Sequence, residues 1–142
     1  MAVPLFDRKA LRRSPKKRDL VKLWIKALRS GRYKQGRNYL NKGNRWCCLG
    51  VMIDVVEPKG WYSAENTDGK MHRLSSDDSM PTTNACKLFG LQLGDIEDQN
   101  APGFLANMND GWPNYKTKRF TGRWSFERIA NELEASFRAA MK

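Results

Sequence analysis

The sequence has little of what metal sites and disulfide frameworks require. Its 142 residues include three cysteines and one histidine, His72. Cys47 and Cys48 are adjacent while Cys86 is distant, and an odd number of cysteines without a secretion signal argues against disulfide pairing. Adjacent cysteines are also awkward zinc ligands, and a single histidine adds little to them. We therefore expect three small buried cysteine side chains, and neither a metal nor a cofactor.

Long apolar runs are missing as well. No run approaches the roughly 20 residues that cross a bilayer, and residues 1–7 lack the apolar stretch of a signal peptide. A charged fraction of 29% against an apolar fraction of 40% is typical of a folded chain rather than a disordered one. The length fits one domain. We therefore expect a single domain with no membrane partner, located in the cytoplasm or inside a particle assembled there, and not secreted.

Acidic residues are scarce in the first third of the chain. Residues 1–46 contain fifteen Lys or Arg and two Asp, a net charge of +13, whereas residues 47–142 carry a net charge of −2. Ordinary solvation does not require such segregation, which favours a surface that meets a polyanion. Four aromatic residues are interleaved with these cations: Trp24, Tyr33, Tyr39 and Trp46. Phosphates attract cations through counterion release, and aromatic faces stack on unpaired bases.

The candidate nucleic-acid-binding residues are the basic side chains of this segment and one tyrosine. They are Arg8, Lys9, Arg12, Arg13, Lys16, Lys17, Arg18, Lys22, Lys26, Arg29, Arg32, Lys34, Arg37, Tyr39, Lys42 and Arg45. Residues 1–18 are expected to form a basic N-terminal arm, flexible on its own, before a single domain over residues 19–142. Two other interpretations stay open: a contact with an acidic protein surface, and a solvated face that only aids solubility.

Capping and periodicity predict a first helix over residues 14–30. Ser14 and Pro15 are typical of a helix start, and Gly31 is typical of its stop. One face carries apolar residues at helical spacing: Leu20, Leu23, Trp24, Ala27 and Leu28. The opposite face carries a basic ridge: Arg18, Lys22, Lys26 and Arg29.

A hairpin is expected within residues 32–46. Residues 37–40 suit one strand and residues 45–47 the other, with turn chemistry at residues 41–44. Gly36 indicates a bulge or a close backbone approach. A second short hairpin is expected around Asp68 and Gly69.

The other elements are predominantly helical. Residues 48–56 are apolar over a length that suits a buried strand or a buried helix. A short helix is predicted over residues 81–89, and residues 91–124 are expected to be loops around one short element at residues 104–108. Ser125 caps a final helix with a stripe of Phe126, Ile129, Ala130, Leu133, Phe137, Ala140 and Met141. The fold class is therefore α+β: about four helices with one or two small β-hairpins.

No pattern of catalytic residues is recognised. His72 lies near Ser75 and Asp77 in the sequence, but a triad is defined by geometry rather than by proximity along a loop, and a surface or hairpin histidine is the favoured interpretation. Acidic clusters at residues 54–57, 77–78 and 95–98 could hold Mg²⁺ with substrate phosphates. None of them has a recognised spacing, so no catalytic residue is predicted.

Several motifs resemble those of small tailed-bacteriophage proteins without an established activity. The chain reads ALRSGRYKQGR at residues 27–37, WCCLGV at 46–51, MND at 108–110 and SFERIANELE at 125–134. The bacteriophage group shares ALRSGxYxQG, CCLGV and ND…SFxxIA stretches. The resemblance implies a phage-type origin and one compact domain, and it favours a helix over residues 48–56. It supplies no catalytic residue, and residues 1–18 lie outside it.

In a phage setting these features predict a non-enzymatic accessory protein. It would bind nucleic acid, DNA or RNA, or an acidic nucleoprotein or virion surface, through the arm, the helix face and the hairpin. It would be located in the host cytoplasm or the virion interior. Two alternatives remain: a virion structural or assembly protein whose basic arm grips neighbouring subunits, and a nucleic-acid-processing enzyme. The oligomeric state is not predicted.

Overall fold

The computed structural model describes residues 4–94, 100–114, 116–117 and 119–142. This part of the chain contains six helices and five short strands, joined by loops. The helices are α1 Arg8–Arg13, α2 Pro15–Arg29, α3 Cys48–Val56, α4 Thr83–Leu88, α5 Ala101–Asp110 and α6 Phe126–Ala140. The strands are β1 Lys34–Gln35, β2 Asn41–Lys42, β3 Arg45–Trp46, β4 Trp112–Asn114 and β5 Arg119–Thr121. The α+β class is confirmed. None of the described helices is long and apolar enough to cross a membrane.

Helix α2 is the central helix, and it packs between α3 and α6. The Ser14 hydroxyl accepts a hydrogen bond from the Lys17 amide at 3.2 Å, which confirms the predicted cap. The buried face consists of Val21, Trp24, Ile25 and Leu28. Leu23 was expected on this face, but it is 50% exposed. The expectation was wrong because packing against two helices centres the buried stripe on Val21 and Ile25.

The first hairpin is shorter than expected and belongs to a three-stranded sheet. Strands β2 and β3 are antiparallel, and Gly43 and Asn44 join them with positive φ values of 57° and 64°, as a two-residue hairpin turn requires. Residues 37–40 are not a strand, because Asn38 has a positive φ of 72° and the Leu40 amide donates to the Asp78 carbonyl at 2.9 Å instead of to a neighbouring strand. Strand β1 pairs with β3 in parallel, a non-local pairing that the sequence did not predict.

Gly36 confirms the close backbone approach that its position suggested. A Cβ atom at Gly36 would lie 2.7 Å from the Cβ of Arg45. The parallel strands β1 and β3 can therefore come together only because residue 36 has no side chain.

Residues 48–56 form a helix, α3, which lies in the core. Residues 48–53 are all buried, and the Trp24 indole donates a hydrogen bond to the Cys48 carbonyl at 2.9 Å. All three cysteines are buried and free. Burial raises the pKa of the Cys47 and Cys86 thiols to about 12 and that of Cys48 well above its ordinary value, so these thiols remain protonated.

The segment between α4 and α6 is more structured than predicted. Thr82 caps α4, in agreement with the predicted short helix. Helix α5 has ten residues and is longer than the short element expected at residues 104–108. Strands β4 and β5 form an antiparallel hairpin where loops were expected. Helix α6 begins at the Ser125 cap as predicted and buries Phe126, Ile129, Ala130 and Leu133.

Residues 4–18 pack against the rest of the domain. Leu5, Phe6 and Leu11 are buried. The Asp7 amide donates to the Gly90 carbonyl at 2.7 Å, and the Gln92 amide donates to the Leu5 carbonyl at 2.8 Å. The boundary expected between residues 18 and 19 falls inside α2.

Candidate nucleic-acid interface

Several of the basic residues that were predicted to bind nucleic acid contact the protein's own backbone. Arg8 and Arg12 both donate hydrogen bonds to the backbone carbonyl of Lys142, and the Lys17 ammonium donates to the carbonyl of Lys87. These three side chains join the N-terminal region to α4 and to the end of α6. Their charge is therefore engaged with backbone oxygens of the protein itself.

Arg18 has the clearest structural role of this kind. Its Nη1 atom donates to the carbonyls of Leu11 and Arg12 at 2.8 and 2.9 Å. Both carbonyls lie at the end of α1, where helical acceptors have no partner within the helix. Arg18 thus ties α1 to α2.

Arg29 joins α2 to α6. Its Nη1 atom lies 2.6 Å from Glu134 Oε2, and its Nη2 atom donates to Asn131 Oδ1 at 2.8 Å. The hydrogen bond from Arg29 holds the pKa of Glu134 below its usual value. The guanidinium group of Arg29 is therefore engaged in a contact between two helices, which makes Arg29 a weaker candidate for phosphate binding.

The other candidate cations have no ion pair with any residue that the structure describes. They are Lys9, Arg13, Lys16, Lys22, Lys26, Arg32, Lys34, Arg37, Lys42 and Arg45. All are exposed except Arg37, which is half-buried. Three of them line one cavity at the hairpin: Arg37, Lys42 and Arg45. Lys22 and Lys26 of α2 line another cavity together.

The group at the hairpin surrounds a small cavity of about 190 Å³, which we call the hairpin pocket. Its lining residues are Gly36, Arg37, Tyr39, Lys42 and Arg45. None of these five is acidic. The Lys42 ammonium lies 4.6 Å from the centroid of the Tyr39 ring, and Arg45 Nη1 donates to the Gln35 carbonyl at 3.3 Å. The pocket thus places three cations around one space.

Arg37 is the least satisfied of these cations. Its Nε atom is buried and has no hydrogen-bond partner among the described residues. A buried donor without an acceptor is costly, and such donors are uncommon in folded proteins. An anion in the pocket could supply the missing acceptor, since guanidinium groups pair with phosphate and carboxylate oxygens.

A buried amide network fixes the backbone beneath the pocket. Asn109 is fully buried, and its Nδ2 atom donates to the Gly36 carbonyl at 2.8 Å. Its Oδ1 atom accepts from Gln35 Nε2 at 2.9 Å and from the Cys48 amide at 3.2 Å. The sequence did not predict this network, although the MND motif contains Asn109.

Tyr39 is held in place by the loop around Gly69. Its hydroxyl donates to Asp68 Oδ2 at 3.1 Å, and this hydrogen bond raises the pKa of Tyr39. A Cβ atom on Gly69 would lie 3.0 Å from the Tyr39 ring. The loop thus positions the tyrosine at the pocket.

The expectation of a surface histidine was wrong, because His72 is only 1% exposed. The hairpin expected around Gly69 is present as the antiparallel bridge between Tyr62 and Met71, which directly precedes His72. Its Nδ1 atom accepts from the Leu74 amide at 3.0 Å, which leaves Nε2 as the donor to the Glu57 carbonyl at 2.9 Å. The ring also packs edge-on against Trp61. Ser75 bonds the backbone of His72 rather than its ring, so these residues form no triad.

The acidic clusters have structural partners. Asp54 accepts from the Tyr33 hydroxyl at 2.5 Å and from the Trp61 indole at 3.0 Å. Burial, together with the hydrogen bond to Asp54, raises the pKa of Tyr33 to about 12. Asp77 accepts from the amides of Ser79 and Met80.

The described residues contain no group of three or more His, Cys, Asp and Glu side chains that could hold a metal ion. The acidic cluster predicted at residues 95–98 lies outside the described residues.

The chain matches a known protein family. A family model described as a domain of unknown function (DUF8296) matches residues 16–137. The matched range includes the hairpin pocket and the amide network beneath it. The chain matches no curated protein, and it matches no solved structure.

Proposed function

The chain belongs to this family of unknown function, and we propose that it is a non-enzymatic phage accessory protein that binds nucleic acid through the hairpin pocket. The bacteriophage part of the proposal is supported by the motif resemblance. The nucleic-acid part is supported by the charge of residues 1–46 and by the grouping of three of its cations.

One observation carries the proposal: three cations and no acid line the hairpin pocket, and the buried Nε atom of Arg37 lacks a partner. A phosphate group offers several oxygen acceptors and at least one negative charge, and it therefore matches both features. The amide network around Asn109 holds the pocket in place without a ligand, which reduces the ordering cost of binding.

The hairpin contributes more to this binding than the basic N-terminal arm. Arg8, Arg12, Lys17 and Arg18 already bond backbone carbonyls of the protein. Residues 4–18 also pack on their own domain, which leaves less of the arm to grip a neighbouring virion subunit.

The proposal is tested with a variant that removes the pocket charges. Arg37→Gln, Lys42→Gln and Arg45→Gln are combined, and binding to labelled single-stranded and duplex oligonucleotides is measured by fluorescence anisotropy from about 50 to 200 mM salt. The slope of log K against log salt is negative, and each lost phosphate contact should make it shallower by about 0.7 to 0.9. The affinity near 100 mM salt should therefore fall on the order of 100-fold.

The matched control removes the same charge elsewhere. Lys59, Lys87 and Lys142 are exposed lysines outside residues 1–46 and without an ion pair to a described residue. Changing all three to Gln should reduce the affinity far less. Equal losses in the two variants would leave only nonspecific charge attraction. Failure of the unaltered protein to bind at about 50 mM salt would refute the proposal.

A further inference from the structure

A groove between α2 and α6 lies apart from the hairpin pocket and shares no lining residue with it. Its volume is about 400 Å³, and its lining residues are Lys22, Ile25, Lys26, Arg29, Glu134, Phe137 and Arg138. We call it the α2–α6 groove. A cavity of this size is within the range, roughly 300–1,000 Å³, of sites that take small ligands or side chains.

The floor of the groove is apolar. Ile25 and Phe137 supply hydrocarbon surface, and the aliphatic stems of Lys22 and Lys26 extend that surface while their ammonium groups reach solvent. Phe137 packs edge-on against the ring of Phe6, with the two ring centroids 6.2 Å apart. The floor therefore suits an inserted apolar side chain.

The rim of the groove is positively charged. Lys22 and Lys26 lie one turn apart on α2, with Cβ atoms about 6 Å from each other, and neither is paired with an acid that the structure describes. The single carboxylate of the lining, Glu134, is neutralised by Arg29 at 2.6 Å and by Arg138 at 3.0 Å. An occupant of the groove thus meets cations on both walls.

We propose that the α2–α6 groove binds an acidic segment of a partner protein, which inserts one apolar side chain between flanking carboxylates. A nucleic acid would match the rim, but its planar bases stack on aromatic faces, and Phe137 is the one aromatic residue among the described residues that line the groove. An amphiphile with a single headgroup would fill the floor but would engage only one part of the rim. A peptide with acidic residues on both sides of a Leu matches both the apolar floor and the positively charged rim.

The test uses a labelled peptide with one central Leu and Asp or Glu on both sides, titrated with the full chain by anisotropy. Replacing the Leu by Ser in the peptide should weaken binding by about 10-fold or more, because a buried apolar side chain is removed at constant charge. Reversing the rim charge with Lys22→Glu and Lys26→Glu should abolish measurable binding. Both lysines are exposed, so the domain should remain folded, and circular dichroism would verify this.

Two controls separate this proposal from the proposed function. The variant lacking the three pocket charges should bind the peptide normally, and an oligonucleotide should not displace the peptide from the unaltered protein. Equal affinity for the Leu and Ser peptides would reduce the interaction to charge alone and overturn the proposal. Displacement of the peptide by an oligonucleotide or by a fatty acid would overturn the proposal and indicate that this ligand occupies the groove. Unchanged peptide binding by the charge-reversed protein would also overturn it, because the peptide would then bind another surface.

Discussion

At the scale of single residues, Arg18 and Arg37 differ in the acceptors that surround their guanidinium groups. Arg18 donates to two carbonyls at the end of α1, whereas the Nε atom of Arg37 is buried without a partner among the described residues. The net charge counts both equally. Only the position of acceptors around each guanidinium distinguishes an arginine that joins two helices from one whose buried donor has no partner among the described residues.

This distinction leads to a stability prediction for Arg18. Arg18→Gln removes the donor to the carbonyls of Leu11 and Arg12. Hydrogen bonds from charged groups contribute about 1.5–3 kcal/mol. Because the Arg18 side chain is partly solvated, the free energy of unfolding should fall by about 1–2 kcal/mol. Urea denaturation measures the change.

Arg13 offers the control, because it is exposed. Arg13→Gln should change the unfolding free energy by less than about 0.5 kcal/mol. If both variants had the same unfolding midpoint, Arg18 would not tie α1 to α2.

At the scale of elements, the contact between α3 and the hairpin region depends on a glycine inside a helix. A Cβ atom on Gly50 would overlap the carbonyl oxygen of Leu40 and would lie 2.6 Å from its carbonyl carbon. The Leu40 carbonyl also accepts from the Cys47 amide at 3.2 Å, so the backbone at Leu40 cannot easily move away. This close approach joins the core helix to the segment that carries the hairpin pocket.

We therefore expect Gly50→Ala to destabilise the protein. In an unobstructed helix the same change stabilises by about 1 kcal/mol, but here the overlap with backbone atoms should reverse the sign and cost about 3 kcal/mol. Thermal and urea unfolding measure the difference.

Gly31 is the comparison site for this prediction. It has a φ of +77° with no atom near its missing Cβ, so Gly31→Ala should cost only the backbone strain of about 1 kcal/mol. A stabilised Gly50→Ala variant would contradict the close contact.

At the scale of the whole molecule, the N-terminal residues complete the core. Leu5, Phe6 and Leu11 are buried, and Phe6 packs against Phe137 of α6. Deleting residues 1–13 should therefore reduce the unfolding free energy by roughly 4 kcal/mol or more, because each buried side chain contributes about 1.5–3 kcal/mol. The melting temperature should fall accordingly.

The charge of this region is separated from its apolar contribution by a second variant. Arg13→Gln combined with Lys16→Gln removes two exposed cations and keeps the buried side chains, so the melting temperature should change little. A truncated protein with an unchanged melting temperature would show that the N-terminal residues are a dispensable appendage.

Local signals in the sequence determined much of this fold. The starts of α2 and α6 follow from Ser14 and Ser125, because a cap needs only a side-chain oxygen three residues before an amide. The close approach at Gly36 and the buried cysteines were likewise predicted. Every side chain that lines the hairpin pocket was already a candidate, since all belong to one short basic stretch.

The tertiary structure decided what depends on residues far apart in the chain. Arg8 and Arg12 donate hydrogen bonds to the carbonyl of Lys142, which lies more than 100 residues away in the sequence. Asn109 donates to the carbonyl of Gly36, which lies 73 residues away. Sequence periodicity places a side chain on one face of its own element and carries no information about which distant acceptor lies opposite. For that reason the sequence by itself determined where the positive charge is, and only the packing of helices and strands decided which cations remain available to a ligand.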